Sequence, residues 1–328
     1  MLAPMIELAP RPLDLLVVGD ANPDLVLRGG SVEPAFGQQE RIVGQALLVL
    51  GGSGAITAVG AARLSLRTAI TAAVGDDVLG RFVAGELATA GVDTTAVRVL
   101  PRAATGISVA LSRPDDRAIL TAPGALAEHD PAGLPDEVLR RARHVHIASP
   151  FLQPLLRDGL ASLIARARAA GSTVSLDPGW DPEQQWSTVA RAALAADVLL
   201  PNQQEAAHLA AALPGGAARC TPVTTEASAA ALGAGGALVV VKSGADGAIA
   251  VRDGKVARAA SYRVEAVDTT GAGDSFDAGF LAAWLGGADL ADCLALGCAC
   301  GALSTRGAGG TAGQPTRAEA EALLRAVS

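Results

Sequence analysis

The nine residues Asp268-Thr-Thr-Gly-Ala-Gly-Asp-Ser-Phe276 constrain this chain more than any other stretch. They follow an extended apolar run at 262–267 and open an apolar helical run at 275–285, which reads as strand, glycine turn, helix. The first N–H groups of a helix have no intrahelical partner, and the helix dipole adds partial positive charge there. Gly271 and Gly273 let backbone approach an anion closely, because no Cβ stands in the way. The stretch lacks the Gly-Lys-Ser/Thr ending of a P-loop. It carries a carboxylate instead, Asp274, at the mouth of the turn. An anion cradle beside a carboxylate suits phosphoryl transfer to a hydroxyl. The backbone of Gly271, Ala272 and Gly273 would hold the charge, and Asp274 would accept the hydroxyl proton.

The rest of the chain reads as a fold that can carry such a turn. Apolar runs at 144–148, 173–176, 198–200 and 238–241 alternate with helical stretches at 155–170, 189–195, 203–211 and 225–232. Continuously apolar strands between helices point to a mostly parallel sheet covered on both faces, a three-layer α/β/α architecture. Two strand-only blocks, at 25–50 and 96–121, interrupt the pattern and predict a small β-sheet lid. The Pro114-Asp115-Asp116 turn joins two of its strands as a hairpin. With no linker and no repeat, residues 1–328 read as one domain carrying the lid. The net charge of −7 argues against a nucleic-acid partner. No apolar run reaches the ~18 residues of a membrane span, and residues 1–12 show no signal pattern. Cys293, Cys298 and Cys300 read as small buried residues of an alanine-rich helix, so with Cys220 they fit a reduced, cytoplasmic protein.

In open α/β sheets, ligands gather beyond the carboxyl ends of the strands. Four polar clusters sit there: Asp177-Pro-Gly-Trp180, Asn202-Gln-Gln-Glu205, Lys242-Ser-Gly244 and the Asp268 turn. Asn202 and Glu205 have the spacing of a helix capping box. Trp180 and Trp186 either line a pocket or pack a loop. His144 and His146 alternate on a strand and read as sheet-face residues.

The 268–276 stretch resembles the second signature of the PfkB, ribokinase-like family of carbohydrate kinases, Asp-Thr-x-Gly-Ala-Gly-Asp. The resemblance implies transfer of the ATP γ-phosphoryl group to a sugar hydroxyl. It also implies a ribokinase-like fold. The exposed face or edge of the lid sheet is a natural contact for a homodimer. Asn202-x-x-Glu205 is similar to the family motif that positions Mg²⁺ and triphosphate, with Glu205 acting on the metal through water. Lys242, Gly244, Gly247 and Thr270 fall where the family places nucleotide. Residues 304–310 fall where it closes a K⁺ site. On the acceptor side, Gly19-Asp-Ala-Asn22-Pro-Asp24 resembles the first-strand motif, in which Asp24 grips hydroxyls beside Asn22. Gly51-Gly52-Ser53-Gly-Ala-Ile56 resembles the first signature, with Ile56 in place of an asparagine that would bond the sugar. Ser53 stands where phosphosugar kinases carry lysine, which argues against a phosphate-bearing acceptor; Arg102, Arg113 or Arg117 of the lid could supply the missing charge. A nucleoside acceptor is the alternative within the family. A non-catalytic sugar- or nucleotide-binding regulator is the alternative outside it.

Overall fold

A computed structural model describes residues 11–113, 117–214 and 224–327. Residues 1–10, the Pro114–Asp116 turn and Cys220 lie outside the described residues. In chain order the elements begin with β1 (Leu13–Val18), β2 (Asn22–Gly30), β3 (Val43–Gly51), α1 (Ser53–Arg63), β4 (Thr68–Thr71), β5 (Ala73–Gly75) and α2 (Val78–Thr89). Next come β6 (Arg98–Leu100), β7 (Ile107–Ser112), β8 (Arg117–Ala122), α3 (Asp136–Arg140), β9 (Ala142–Ala148), α4 (Pro154–Ala169), β10 (Thr173–Asp177) and α5 (Ser187–Ala193). The remainder is β11 (Val198–Leu199), α6 (Gln203–Ala211), α7 (Thr225–Leu232), β12 (Leu238–Lys242), β13 (Ala248–Arg252), β14 (Lys255–Ala259), α8 (Ala272–Leu285), α9 (Leu290–Ser304) and α10 (Arg317–Val327).

Eight strands form the main sheet in the order β14-β13-β12-β11-β10-β9-β1-β4. Those from β12 to β4 pair in parallel, and β13 and β14 close one side as an antiparallel hairpin. The alternation within each strand explains the three layers. Leu15 and Val17 of β1 pack with α1, α8 and α9, whereas Leu16 and Val18 pack with α4. Helices α8 and α9 approach closely through glycines. A Cβ on Gly279 would lie 2.8 Å from the Leu296 carbonyl, and one on Gly297 would lie 2.9 Å from the Phe276 ring. Cys300 lies in the same seam against Gly279, and Cys293 and Cys298 are buried elsewhere on α9. Burial pushes the thiols of Cys293 and Cys300 up to about 12 and that of Cys298 up to about 11, so they stay protonated and inert.

A separate four-stranded sheet has the order β3-β2-β7-β8. Its strands are rooted at one end: β2 starts just past β1, β3 ends at the first turn of α1, and the start of β7 and the end of β8 lie beside them. Two expectations need correction. The 96–100 run contributes β6, which pairs with β5 in a two-stranded sheet and takes no part in the four-stranded one. The 262–267 run alternates like a strand but forms none. The main sheet already ends at β14, so that run finds no strand partner. Val267 is accordingly exposed, with its N–H donated to the Thr305 carbonyl at 2.7 Å.

Candidate active site

At the carboxyl ends of β1, β10 and β12, beside the start of α8, seven ionisable side chains converge: Asp20, Asp24, Asp177, Glu205, Lys242, Asp274 and Asp277. Gly271 precedes α8 in the left-handed conformation, φ 72°, and offers no side-chain cap. A Cβ there would collide with Gly310 at 2.8 Å, so glycine is required on both counts. Ala272 does not leave its N–H to the turn; it donates to the Thr269 carbonyl at 3.3 Å. The N–H groups of Gly271, Gly273 and Asp274 have no partner among the described residues. The open donors are therefore shifted from the expected Gly271–Ala272–Gly273 set toward Asp274.

Asp274 is the third residue of α8. Burial, with Asp177 and Asp20 nearby, pushes its carboxyl up to about 7, against the pull of Lys242 and of a hydrogen bond from Ser53. A carboxylate poised near neutrality is suited to accept a proton in turnover. Ser53 opens α1, so this bond joins the two glycine-rich stretches directly.

The acceptor-side residues build one another. Asn22 is buried, and its Nδ2 donates to Asp24 Oδ1 at 3.0 Å and Ser108 Oγ at 3.2 Å. Asn22 thus supports Asp24, and its amide is committed inside the protein. Burial, and then Asp20, push the Asp24 carboxyl up to about 6. Gly51 leaves room for that carboxylate: a Cβ on it would lie 2.1 Å from Asp24 Cγ. Gly52, at φ 88°, passes so close to the Asp20 carbonyl that a Cβ would come within 2.9 Å. Ile56 does not face an acceptor pocket. Its side chain is buried against Gly271 and Gly310, and a Cβ on Gly310 would meet Ile56 Cδ1 at 2.3 Å.

On the nucleotide side, Asn202 Oδ1 accepts the Glu205 N–H at 2.9 Å, and Glu205 Oε2 accepts the Asn202 N–H at 2.8 Å. The capping box is therefore formed. Glu205 is also buried, and desolvation pushes its carboxyl up to about 7. Lys242 does not reach outward to nucleotide. Its ammonium donates to Asp177 at 2.8 Å and to both oxygens of Asp277 at 3.0 and 3.1 Å. Gly244 and Gly247 flank a one-turn 3₁₀ segment. A Cβ on Gly244 would meet only open space, while one on Gly247 would strike the Ala259 carbonyl. Thr270 donates its hydroxyl to Asp268 at 2.7 Å, and the other Asp268 oxygen accepts the Gly309 N–H at 2.9 Å. Asp268 thereby ties the glycine turn to the 304–310 stretch. From β8, Arg117 donates to the hydroxyls of Thr269 and Thr270 at 3.3 and 3.1 Å.

Sequence reasoning noted Asp177 but gave it no role, and it missed Asp277. The available signal for Asp277 was its place three residues after Asp274, which puts both on one helical face. Trp186 packs a loop: it stacks on His208 at 4.9 Å and meets Phe151 edge-on at 5.1 Å.

Residues 13–317 match the model of the pfkB family of carbohydrate kinases. The chain is 33% identical to an ATP-dependent ribose-1-phosphate kinase of Halopiger xanaduensis, over 94% of this chain and 97% of that protein. The ribokinase of Arabidopsis thaliana, solved with ribose and ATP, superposes with a TM-score of 0.82 at 25% identity, covering 95% and 99% of the two chains. An E. coli protein described as a ribokinase II, solved with ATP and Mg²⁺, gives 0.82 at 24% identity, covering 96% and 99%.

Proposed function

Because the chain belongs to the pfkB family of carbohydrate kinases, an ATP-dependent phosphotransferase family acting on sugar hydroxyls, we propose how its own residues carry that reaction and on which acceptors. The carrying observation is Asp274: a carboxyl held near neutrality, at a helix start with open N–H groups, bonded by Ser53 of the acceptor-side signature. Asp274 takes the proton of the acceptor hydroxyl as that oxygen bonds to the γ-phosphorus of ATP and the bond from that phosphorus to the departing ADP oxygen breaks. Gly271, Gly273 and Asp274 offer their N–H groups to the oxygens of the transferring phosphoryl group. Asp24, held by Asn22 and Ser108, accepts hydrogen bonds from the acceptor's remaining hydroxyls.

The open space over Gly244 fits a nucleoside lying against backbone. Mg²⁺, bound with the triphosphate, supplies positive charge to phosphate oxygens. Glu205 would hold it through water, and its raised carboxyl pKa suits a group that ionises when a cation arrives. The four-stranded sheet acts as a lid over the acceptor, and Arg117 ties it to the glycine turn. Its exposed Leu48, Ile119 and Leu120 fit a second copy of the chain in a homodimer.

The acceptor is a sugar of the ribose class. Ser53 favours a free sugar, while the Halopiger relative is named for ribose 1-phosphate. The test is ATP consumption, with Mg²⁺, against D-ribose, ribose 1-phosphate, 2-deoxygluconate-type sugar acids and adenosine. Turnover of either ribose compound with adenosine inert supports the assignment. Turnover of adenosine alone makes the enzyme a nucleoside kinase, and silence across the panel refutes the reading.

A further inference from the structure

We propose that Lys242 is a positioning residue for the transfer, a fixed buried cation beneath the glycine turn that sets the charge of Asp274. The inference rests on the reading of Asp274 as the base. Geometry carries it. Lys242 ends β12, and its ammonium lies 3.5 Å from where a Cβ on Gly273 would stand, directly against the residue before Asp274. Asp177 and Asp277 fix it there at 2.8 and 3.0 Å, and both of those carboxyls are buried. A lysine so enclosed cannot reach a ligand. Its side chain is only 10% exposed, and its donors are committed to two carboxyl groups.

The charges sort themselves by environment. Against the cost of desolvation, Asp177 at 2.8 Å holds Lys242 charged, well above the usual lysine range. Burial pushes the Asp277 carboxyl far up, and it donates its proton to Asp177, which stays ionised beside Lys242. The groups facing Asp274 are therefore Asp20 from β1, Asp177 from β10, Lys242 from β12 and the Ser53 hydroxyl from α1. Glu205 from α6 and His146 from β9 face Asp177 and Lys242; His146 is held neutral by burial, its pKa pushed down to about 4. Among these, Lys242 is the one cation. Its removal raises the Asp274 pKa, so the base is protonated at neutral pH. Asp177 acts in the opposite direction.

The experiment compares Lys242→Met, Asp177→Asn and the double variant with wild type, using two readouts. One is the acid limb of kcat/KM for D-ribose or ribose 1-phosphate, whichever the wild type phosphorylates. The other is the carboxyl NMR titration of Asp274, assigned by its loss in Asp274→Asn, which needs no turnover. Lys242→Met should move both upward by about one pH unit, a roughly fivefold loss at pH 7 that is recovered at pH 9. Asp177→Asn should move both downward. If Lys242→Met does not fold, the double variant, which removes the ion pair together, is compared with Asp177→Asn, and the limb must rise between them. An unmoved limb overturns the proposal, as does a raised KM for ATP with an unchanged limb, which would make Lys242 a nucleotide contact. Absence of turnover in wild type refutes the assigned acceptor, while the NMR titration still decides the role of Lys242.

Discussion

Gly51→Ala tests the acceptor site through sterics alone. Gly51 does not occupy the left-handed region, so alanine meets no backbone penalty. Its methyl would nonetheless lie 2.1 Å from Asp24 Cγ and 2.2 Å from both carboxylate oxygens. Either Asp24 rotates or the pair β2–β3 parts. Rotation gives up the 3.0 Å bond from Asn22 and the bond from Ser108. One misaligned charged hydrogen bond costs about 1.5–3 kcal/mol, or roughly 10–150-fold in kcat/KM for the acceptor. Overpacking should also lower stability by about 1–3 kcal/mol. The KM for ATP should hold, since Asp24 belongs to the acceptor side. The assay is a cycle with Asp24→Ala, itself expected to cost about 2–5 kcal/mol in transition-state stabilisation. With no carboxylate left to displace, adding Gly51→Ala to Asp24→Ala should change kcat/KM by less than about threefold. Multiplicative losses in the double variant would refute the reasoning, because the methyl would then be acting on something other than Asp24.

Asp274→Asn should lower turnover by about 10²-fold or more while the fold and ATP binding persist, as read by kcat and nucleotide titration. Glu205→Gln should raise the Mg²⁺ concentration needed for half-maximal rate and leave acceptor KM unchanged; a variant that only melts earlier would reduce Glu205 to its capping role. His144 is buried neutral, its pKa pushed down to about 3 by desolvation and by His146. Below pH 6.5 the unfolded chain takes up a proton that the folded chain refuses, so stability is complete above 6.5 and is lost as pH falls toward 3, by about 1.4 kcal/mol per pH unit. Urea midpoints at pH 7 and pH 5 should therefore differ less in His144→Gln than in wild type.

Much of this was legible because local signals and fold agreed. The turn at 268–276 names its own conformation: only glycine suits position 271, and the helix that follows is apolar enough to be buried. Asp24 and Gly51 were legible as site residues, although their contact was not, since they lie 27 positions apart on two strands joined by a long loop. The Lys242–Asp177–Asp277 cluster was hidden for the same reason. Its members come from β12, β10 and α8, and a lysine after a strand gives no sign of whether it points out or in. Ile56 misled because its position suggested a pocket, whereas the space it fills is created by glycines at 271 and 310, more than 200 residues away. The 262–267 run misled because alternation reports which side chains face inward and says nothing about whether a partner strand exists.

The attachment of the small sheet has a mechanical consequence. Two of the strand ends that root it, at Asn22 and at Gly51, lie among the residues assigned to the acceptor, so the grip on the hydroxyls sits at the fulcrum of the lever it would move. From that fulcrum the nine residues of β2 extend roughly 30 Å. A rotation of about 5° at the root would then carry the far end by about 2–3 Å, a span comparable to the Arg117 contacts with Thr269 and Thr270. Seating a sugar against Asp24 and latching the far end onto the phosphate side would thus be two ends of one stiff beam, and a substrate too small to load the fulcrum would leave the latch undone.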